Sequence, residues 1–239
     1  MIEVLIPWRE SPDRTEACRW VLGRYNELGW KATLAEAPLG EWRKGLALTA
    51  AVGHSSADTL VIADADVWCD GLPEAVAAVE TGADWAIPHA EVLRLTGDGT
   101  KAFLRGADAH SLPLDQPSYG GIEGGGQIVL KRATYVNCPI DPRFAGWGQE
   151  DEAWGTALRA LYGPPWVGTA SLVHLYHEPQ VRLDRKRGSV AGWELRRRYL
   201  KARYDQDAMR DLIKEAHEHF PTIDSDVCSD AQVGEQRNR

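Results

Sequence analysis

The chain is short of cysteine, of positive charge and of long apolar runs, and each shortage closes a class of protein. Its four cysteines, Cys18, Cys69, Cys138 and Cys228, include no Cys-x-x-Cys pair. A thiolate zinc site and a disulfide framework are therefore not expected. The first residues, from Met1 through Pro7 and Trp8, reach charge within ten positions. That run is too short for a signal peptide or a membrane span, so the expectation is a reducing, cytoplasmic setting with no membrane anchor. Lys and Arg number 27 against 35 Asp and Glu, a net charge of −8. An acidic chain is not a general binder of nucleic acid or membrane, although a local basic patch can still hold phosphate. There is no internal repeat. Nor does the stretch after the first apolar run, Pro7 to Arg14, contain a glycine. A sugar-nucleotide nucleotidyltransferase normally carries a Gly-rich basic phosphate loop there, so this absence counts against that class.

What is present suits a soluble globular domain. The 239 residues are 44% hydrophobic and 26% charged, enough for one large domain or two small ones with a proper core. Ten Trp stand against three Phe. Trp offers sugars a broad apolar face and one N–H, but most Trp in any protein are core.

The periodicity predicts strands and helices in alternation. Ile2 to Ile6, Lys31 to Ala35, Thr59 to Ala63 and Trp85 to Pro88 read as strands. Asp13 to Leu28, Lys44 to His54 and Leu72 to Glu80 read as helices, with Pro73 suited to a first turn. This pattern predicts an α/β domain built on a mostly parallel sheet flanked by helices. Leu95 to Glu123 is rich in Gly, Asp and Pro and reads as a long functional loop. Gln127 to Lys131 and Ala170 to Tyr176 read as further strands, and Glu150 to Leu161 as a helix. Trp193 to His219 reads as one or two polar helices. The expected organisation is one domain over 1–220, with a nucleotide-binding half near 1–90, an acceptor and catalytic half near 91–180 and C-terminal helices near 190–220. Residues 221–239 read as a polar tail.

Three motifs carry chemistry. The apolar run Val61-Ile62-Ala63 delivers Asp64 and Asp66 to the carboxyl end of a strand, where open α/β sheets bind ligands. Two hard oxygen donors so close suit Mn²⁺ or Mg²⁺ shared with a diphosphate; the bland alternative is an Asx turn closing a strand. The second motif is Gly146-Trp147-Gly148-Gln149-Glu150-Asp151. Acids in a first helical turn are favoured by the dipole, but that does not account for the Gly-Trp-Gly before them. The functional reading makes Trp147 a stacking floor for an acceptor sugar and Asp151 an ionised general base. Glu150 then hydrogen-bonds the acceptor or holds the loop. Third, His174 and His177 are three apart, so on one strand they face opposite sides. One is then structural and the other completes a metal site with the aspartates, His177 being favoured.

In order along the chain, these blocks resemble the GT-A glycosyltransferases, in particular the β-1,4-galactosyltransferase group and its chondroitin-polymerase-like relatives. Pro7-Trp8-Arg9 is similar to that family's nucleotide-contacting turn. Trp42-Arg43-Lys44 is similar to an aromatic-x-Arg segment that touches the donor. Asp64-Ala65-Asp66 matches the Asp-x-Asp motif, with Asp66 at the metal position. Tyr119-Gly120-Gly121 with Gly124-Gly125-Gly126 resembles the Gly-rich donor strand, and Gly146 to Asp151 the acceptor and base motif. The resemblance covers about residues 2 to 180. It departs at Glu152 and Ala153, where the family often has further acids, and in the shortness of the chain, which lacks acceptor-side insertions.

The resemblance implies inverting transfer from a nucleotide-sugar, with UDP-sugar the expected donor. Mn²⁺ would be held by Asp66 and His177 or His174. Pro7, Trp8, Arg9, Arg43, Asp64, Gly125 and Gly126 would bind the donor, and Trp147 and Tyr119 the acceptor, which could be a glycan, a protein or a modified nucleic acid. A non-catalytic sugar-binding module would suit the Trp content but has no use for the base and the metal acids together. From Arg182 to Arg203 nine basic residues face two acids. That stretch reads as a solvated helix face, with a lid over the diphosphate or a polyanion site as alternatives.

Overall fold

The β-branched and aliphatic run Ile2–Trp8 forms β1 at the centre of a parallel trio. Lys31–Glu36 (β2) lies on one side and Thr59–Ala63 (β3) on the other. Side chains alternate across it. Val4, Ile6 and Trp8 enter one core layer and Leu5 the opposite one, as the two-residue period of a strand requires. The computed structural model describes residues 1–12, 14–37, 40–178 and 188–220.

Among the described residues four more strands join the sheet: Val67–Cys69 (β4), Trp85–Arg94 (β5), Gln127–Lys131 (β6) and Trp166–His174 (β7). Their spatial order is β2-β1-β3-β6-β5-β7-β4. The sheet is mixed. β2, β1 and β3 are parallel, as are β5 and β7, but β6 runs antiparallel to both β3 and β5, and β4 antiparallel to β7. An α/β sheet with helices on both faces agrees with the sequence reading; the reversed strands are its refinement, because pairing direction leaves no local pattern.

Among the described residues eight helices accompany the sheet: Thr15–Glu27 (α1), Lys44–His54 (α2), Leu72–Glu80 (α3), Gly97–Leu104 (α4), Arg132–Asn137 (α5), Glu150–Tyr162 (α6), Val190–Ala202 (α7) and Gln206–His219 (α8). One core layer joins Leu48, Tyr135, Trp154, Leu158 and Met209 beneath α2, α6 and α8; the other joins Val21, Tyr25, Trp68 and Leu72 beneath α1 and α3. Trp8, Trp68, Trp85 and Trp154 are buried, so the bland reading of the Trp content holds for these four. The C-terminal polar stretch is two helices, because the Asp205 carboxylate accepts from the Asp207 and Ala208 N–H groups and starts a second one.

The stretch 95–123 is more ordered than its composition suggests. Thr96 Oγ1 accepts from Gly99 N–H at 3.1 Å and caps α4, and a 3₁₀ turn follows at Ala109–Ser111. Bridges Val92↔Tyr119 and Leu95↔Leu114 pin the remainder to β5. Among the described residues no helix is long and apolar enough to cross a membrane. Cys18, Cys69 and Cys138 are buried free thiols. Cys228 and the tail lie outside the described residues, as does 179–187, the first part of the basic stretch.

Candidate active site

The direction of β6 builds the site. Because it is antiparallel to β3, its first residue, Gln127, pairs with the last residue of β3, Ala63. The glycines before β6 therefore meet the aspartates after β3, and Asp64 N–H donates to Gly126 O at 2.9 Å. β7 ends at the same rim, where Leu175 N–H donates to Asp66 O at 2.8 Å. A cleft of about 210 Å³ opens there.

Asp64, Asp66, Glu150, Asp151, His174 and His177 all line this cleft, together with Pro7, Tyr119, Gly125, Gly126 and Trp147. Both histidines reach it, which corrects the expectation of opposite faces. The strand stops at His174, so the alternation rule does not extend to His177, and the two rings lie 5.4 Å apart. His177 Nε2 stands 3.5 Å from Asp66 Oδ2, and Asp66 is only 1% exposed.

Three expected donor residues, Trp8, Arg9 and Arg43, lie outside the cleft lining. Trp8 is buried in the core layer that includes residues of α1 and α3. Arg43 donates to the carbonyls of Pro142 and Arg143 and stacks on Phe220, so it fastens the loop before the second acidic motif. Arg9, outside the cleft lining, covers the Trp42 ring and donates to Gly40 O at 2.8 Å.

The backbone turns sharply at the second acidic motif. Gly146, Gly148 and Gln149 all have positive φ, and Gln149 at 74° is the non-glycine among them. Such a conformation costs a side-chain-bearing residue about 1 kcal/mol. Gln149 Oε1 accepts from Gly188 N–H at 2.9 Å, which helps to hold the turn. Trp147, 39% exposed, and Tyr119, 36% exposed, both line the cleft.

Lys44, Arg14, His89 and Arg94 also line the cleft, and sequence reasoning missed them. Lys44 Nζ donates to Asp64 Oδ1 at 2.9 Å and to Asp151 Oδ1 at 2.8 Å. Arg14 Nε donates to Asp66 Oδ2 at 2.9 Å. The signal available for Lys44 was a cation opening an Ala- and Leu-rich helix beside the quoted Trp42-Arg43; for His89 it was an imidazole within an apolar strand. Arg14 and Arg94 had none.

These contacts set the charges. Burial raises Asp64, but the Lys44 ammonium and Arg14 outweigh it and hold the carboxyl below its usual range. Asp151 goes the other way: burial and the Asp64 charge push it up, with Lys44 pulling against them. Burial and Asp151 push Glu150 up to about 8, and its Oε2 is buried with no hydrogen-bond partner among the described residues. Glu152 pairs with Arg196 instead of the cleft groups. Burial depresses His174.

No family model matches the sequence, and no curated protein does. Among solved structures, GalNAc-T7 crystallised with UDP, GalNAc and Mn²⁺ matches with a TM-score of 0.52 at 11% identity, over 91% of this chain and 55% of that one. The chain has the GT-A fold. The catalytic domain of Drosophila β1,4-galactosyltransferase 7 in complex with xylobiose is also similar (TM-score 0.48, 13% identity, 82% of this chain and 79% of that one). So is the glucosyl-3-phosphoglycerate synthase of Mycobacterium tuberculosis with Mn²⁺ and UDP-glucose (TM-score 0.46, 14% identity, 85% and 78%). At such identities the likeness is one of fold. In this GT-A chain the cleft sits at the rim where the parallel trio meets β6 and β7.

Proposed function

We propose that the chain is an inverting, divalent-metal-dependent glycosyltransferase that moves a sugar from a UDP-sugar to an acceptor hydroxyl. The observation that carries this reading is the meeting of Asp64 and Asp66, Asp151, and His177 in one cleft. The GT-A fold supports it, and GalNAc-T7, which shares that fold, was crystallised with UDP, GalNAc and Mn²⁺.

Asp151 is the general base. Lys44 occupies its Oδ1, which leaves Oδ2 beside Gly125, 3.0 Å from where a Cβ on that glycine would stand. Oδ2 takes the proton of the acceptor hydroxyl as the oxygen attacks the anomeric carbon in line. Glu150, with a raised pKa and an unpaired oxygen, holds its proton near neutrality and donates to the acceptor. Trp147 and Tyr119 form an aromatic mouth on which the acceptor stacks.

The departing group is a nucleoside diphosphate, which calls for cations. Arg14, Arg94 and Lys44 line the same cleft. Among the described residues no group of three or more His, Cys, Asp or Glu could hold a metal by itself. Asp66 and His177 provide one carboxylate and one imidazole that face each other. That donor set fits Mn²⁺ or Mg²⁺ if the remaining ligands are diphosphate and water. Bound there, the cation would neutralise charge growing on the leaving UDP. Positioning by the glycine run and by Lys44 supplies the rest of the rate.

The deciding experiment incubates the protein with a panel of UDP-sugars, with and without Mn²⁺, and follows UDP release and heat of binding. Slow Mn²⁺-dependent hydrolysis of one UDP-sugar is expected without acceptor. Release of pyrophosphate would redirect the reading to nucleotidyl transfer. Sugar binding without turnover, unaltered in Asp151→Asn, would redirect it to a binding module.

A further inference from the structure

His89 lies on β5 between two shifts in its pairing with β7, one after Ile87 and one before Glu91. Such irregularities re-aim a side chain, and the His89 ring lines the cleft. It is 3% exposed, and its Nδ1 is buried with no hydrogen-bond partner among the described residues. Burial lowers the ring to about 4, so it is neutral and offers one donor and one acceptor. A buried polar atom left unpaired forfeits its hydration for nothing, unless a ligand completes it.

Two glycines make room for the ring. A Cβ on Gly121 would stand 3.2 Å from His89 Nε2, and one on Gly126 would stand 3.8 Å from Cε1; both glycines have positive φ. The same glycine run backs onto Asp151 through Gly125 and bonds Asp64 through Gly126. The glycine run therefore touches both His89 and the base, and both line the one cleft. The reacting sugar has to sit at this level, between the base and the diphosphate. A diphosphate calls for charge, which Arg14, Arg94 and Lys44 carry. A neutral imidazole matches a hydroxyl, which also both donates and accepts.

We propose that His89 is a specificity-determining residue that hydrogen-bonds a ring hydroxyl of the transferred sugar. The inference rests on the glycosyltransferase reading. The test compares wild type, His89→Gln and His89→Ala on UDP-glucose, UDP-galactose and their N-acetyl counterparts, with calorimetry of UDP and Mn²⁺ alongside. UDP affinity should stay within about twofold, while kcat/KM for the preferred sugar falls roughly tenfold and the preference between epimers flattens. His89→Gln keeps a polar group of similar reach and carries the test if His89→Ala melts early. Unchanged ratios between sugars, or a UDP affinity that falls in step with turnover, would overturn the assignment. If wild type binds no UDP and turns over no sugar, the glycosyltransferase reading fails and takes this inference with it. If wild type is active and the ratios stay fixed, the inference fails alone.

Discussion

Lys44 donates to Asp151 Oδ1 at 2.8 Å and, with the same ammonium, to Asp64 Oδ1 at 2.9 Å. One buried cation thus ties the first acid of the Asp-x-Asp motif to the candidate base. The base is raised by burial, with Lys44 opposing that rise; Asp64, Glu150 and Glu152 are the acids around it. A base is idle when protonated, so activity should appear as pH climbs through its pKa. Lys44→Met removes the opposing charge and should move the acid limb of kcat to higher pH, with kcat lowered about 10- to 100-fold. Lys44→Arg should recover part of both. A pH–rate profile of the three proteins checks this, and an acid limb that does not move would refute it.

Asp151→Asn keeps the shape and removes the base. Turnover of a UDP-sugar with acceptor should fall about 10²- to 10⁴-fold. Calorimetric affinity for UDP with Mn²⁺ should change little, since asparagine keeps an oxygen to accept from Lys44, and Arg14 and Arg94 are untouched.

Metal dependence should map to Asp66 and His177. A chelator should abolish turnover and weaken UDP binding. Asp66→Asn or His177→Ala should each weaken Mn²⁺-supported UDP binding by more than about tenfold, the usual scale for losing a metal ligand or its support. His174→Ala should have the smaller effect, because it is His177 that faces Asp66. Equal losses at both histidines would contradict that assignment.

The glycine run allows a steric comparison. A Cβ at Gly124 would stand 2.0 Å from Asp151 O, a collision of backbone with backbone, whereas nothing lies within 4 Å of one at Gly120. Gly124→Ala should destabilise the fold by about 2–4 kcal/mol and displace the base. Gly120→Ala should melt within about 2 °C of wild type, as expected where surface changes stay near ±0.5 kcal/mol. Differential scanning calorimetry reads both.

Acid stability should depend on Glu215. It pairs with Arg198 and Arg143, and the Arg198 hydrogen bonds hold it down to about 2. A depressed carboxyl adds stability above its unfolded pKa of about 4.3 and loses it as pH falls toward 2. Glu215 is partly exposed, so solvent screening limits the gain to about 1 kcal/mol or less. Glu215→Gln should therefore melt lower at pH 7, and the gap should close as pH falls toward 2.

Much of the fold was legible because its central strands are mostly apolar runs. Ile2–Trp8 and Thr59–Ala63 are buried on both faces, so their composition alone marks them. That Asp64, Asp66, the Gly146–Asp151 motif and His177 would share a cleft was legible because each pairs an unusual residue type with a strand end or a sharp turn. What could not be read depends on distant chain. Arg43 and Lys44 are neighbours in sequence, yet one fastens the 142–143 loop and the other enters the cleft. Packing against Pro142 and Asp151, a hundred residues on, decides between them. The histidine rule failed because the end of β7 lies between His174 and His177, and no turn residue marks it.

The position of β6 also limits how such a protein can change. Both strands that flank it, β3 and β5, come earlier in the chain, so the later segment is threaded back into the middle of the earlier one. Grafting a new acceptor-binding half onto this chain would have to bring a replacement for Gln127–Lys131 and the glycines before it. Recombination could not alter what the sugar is attached to without also rebuilding part of the seat from which it leaves.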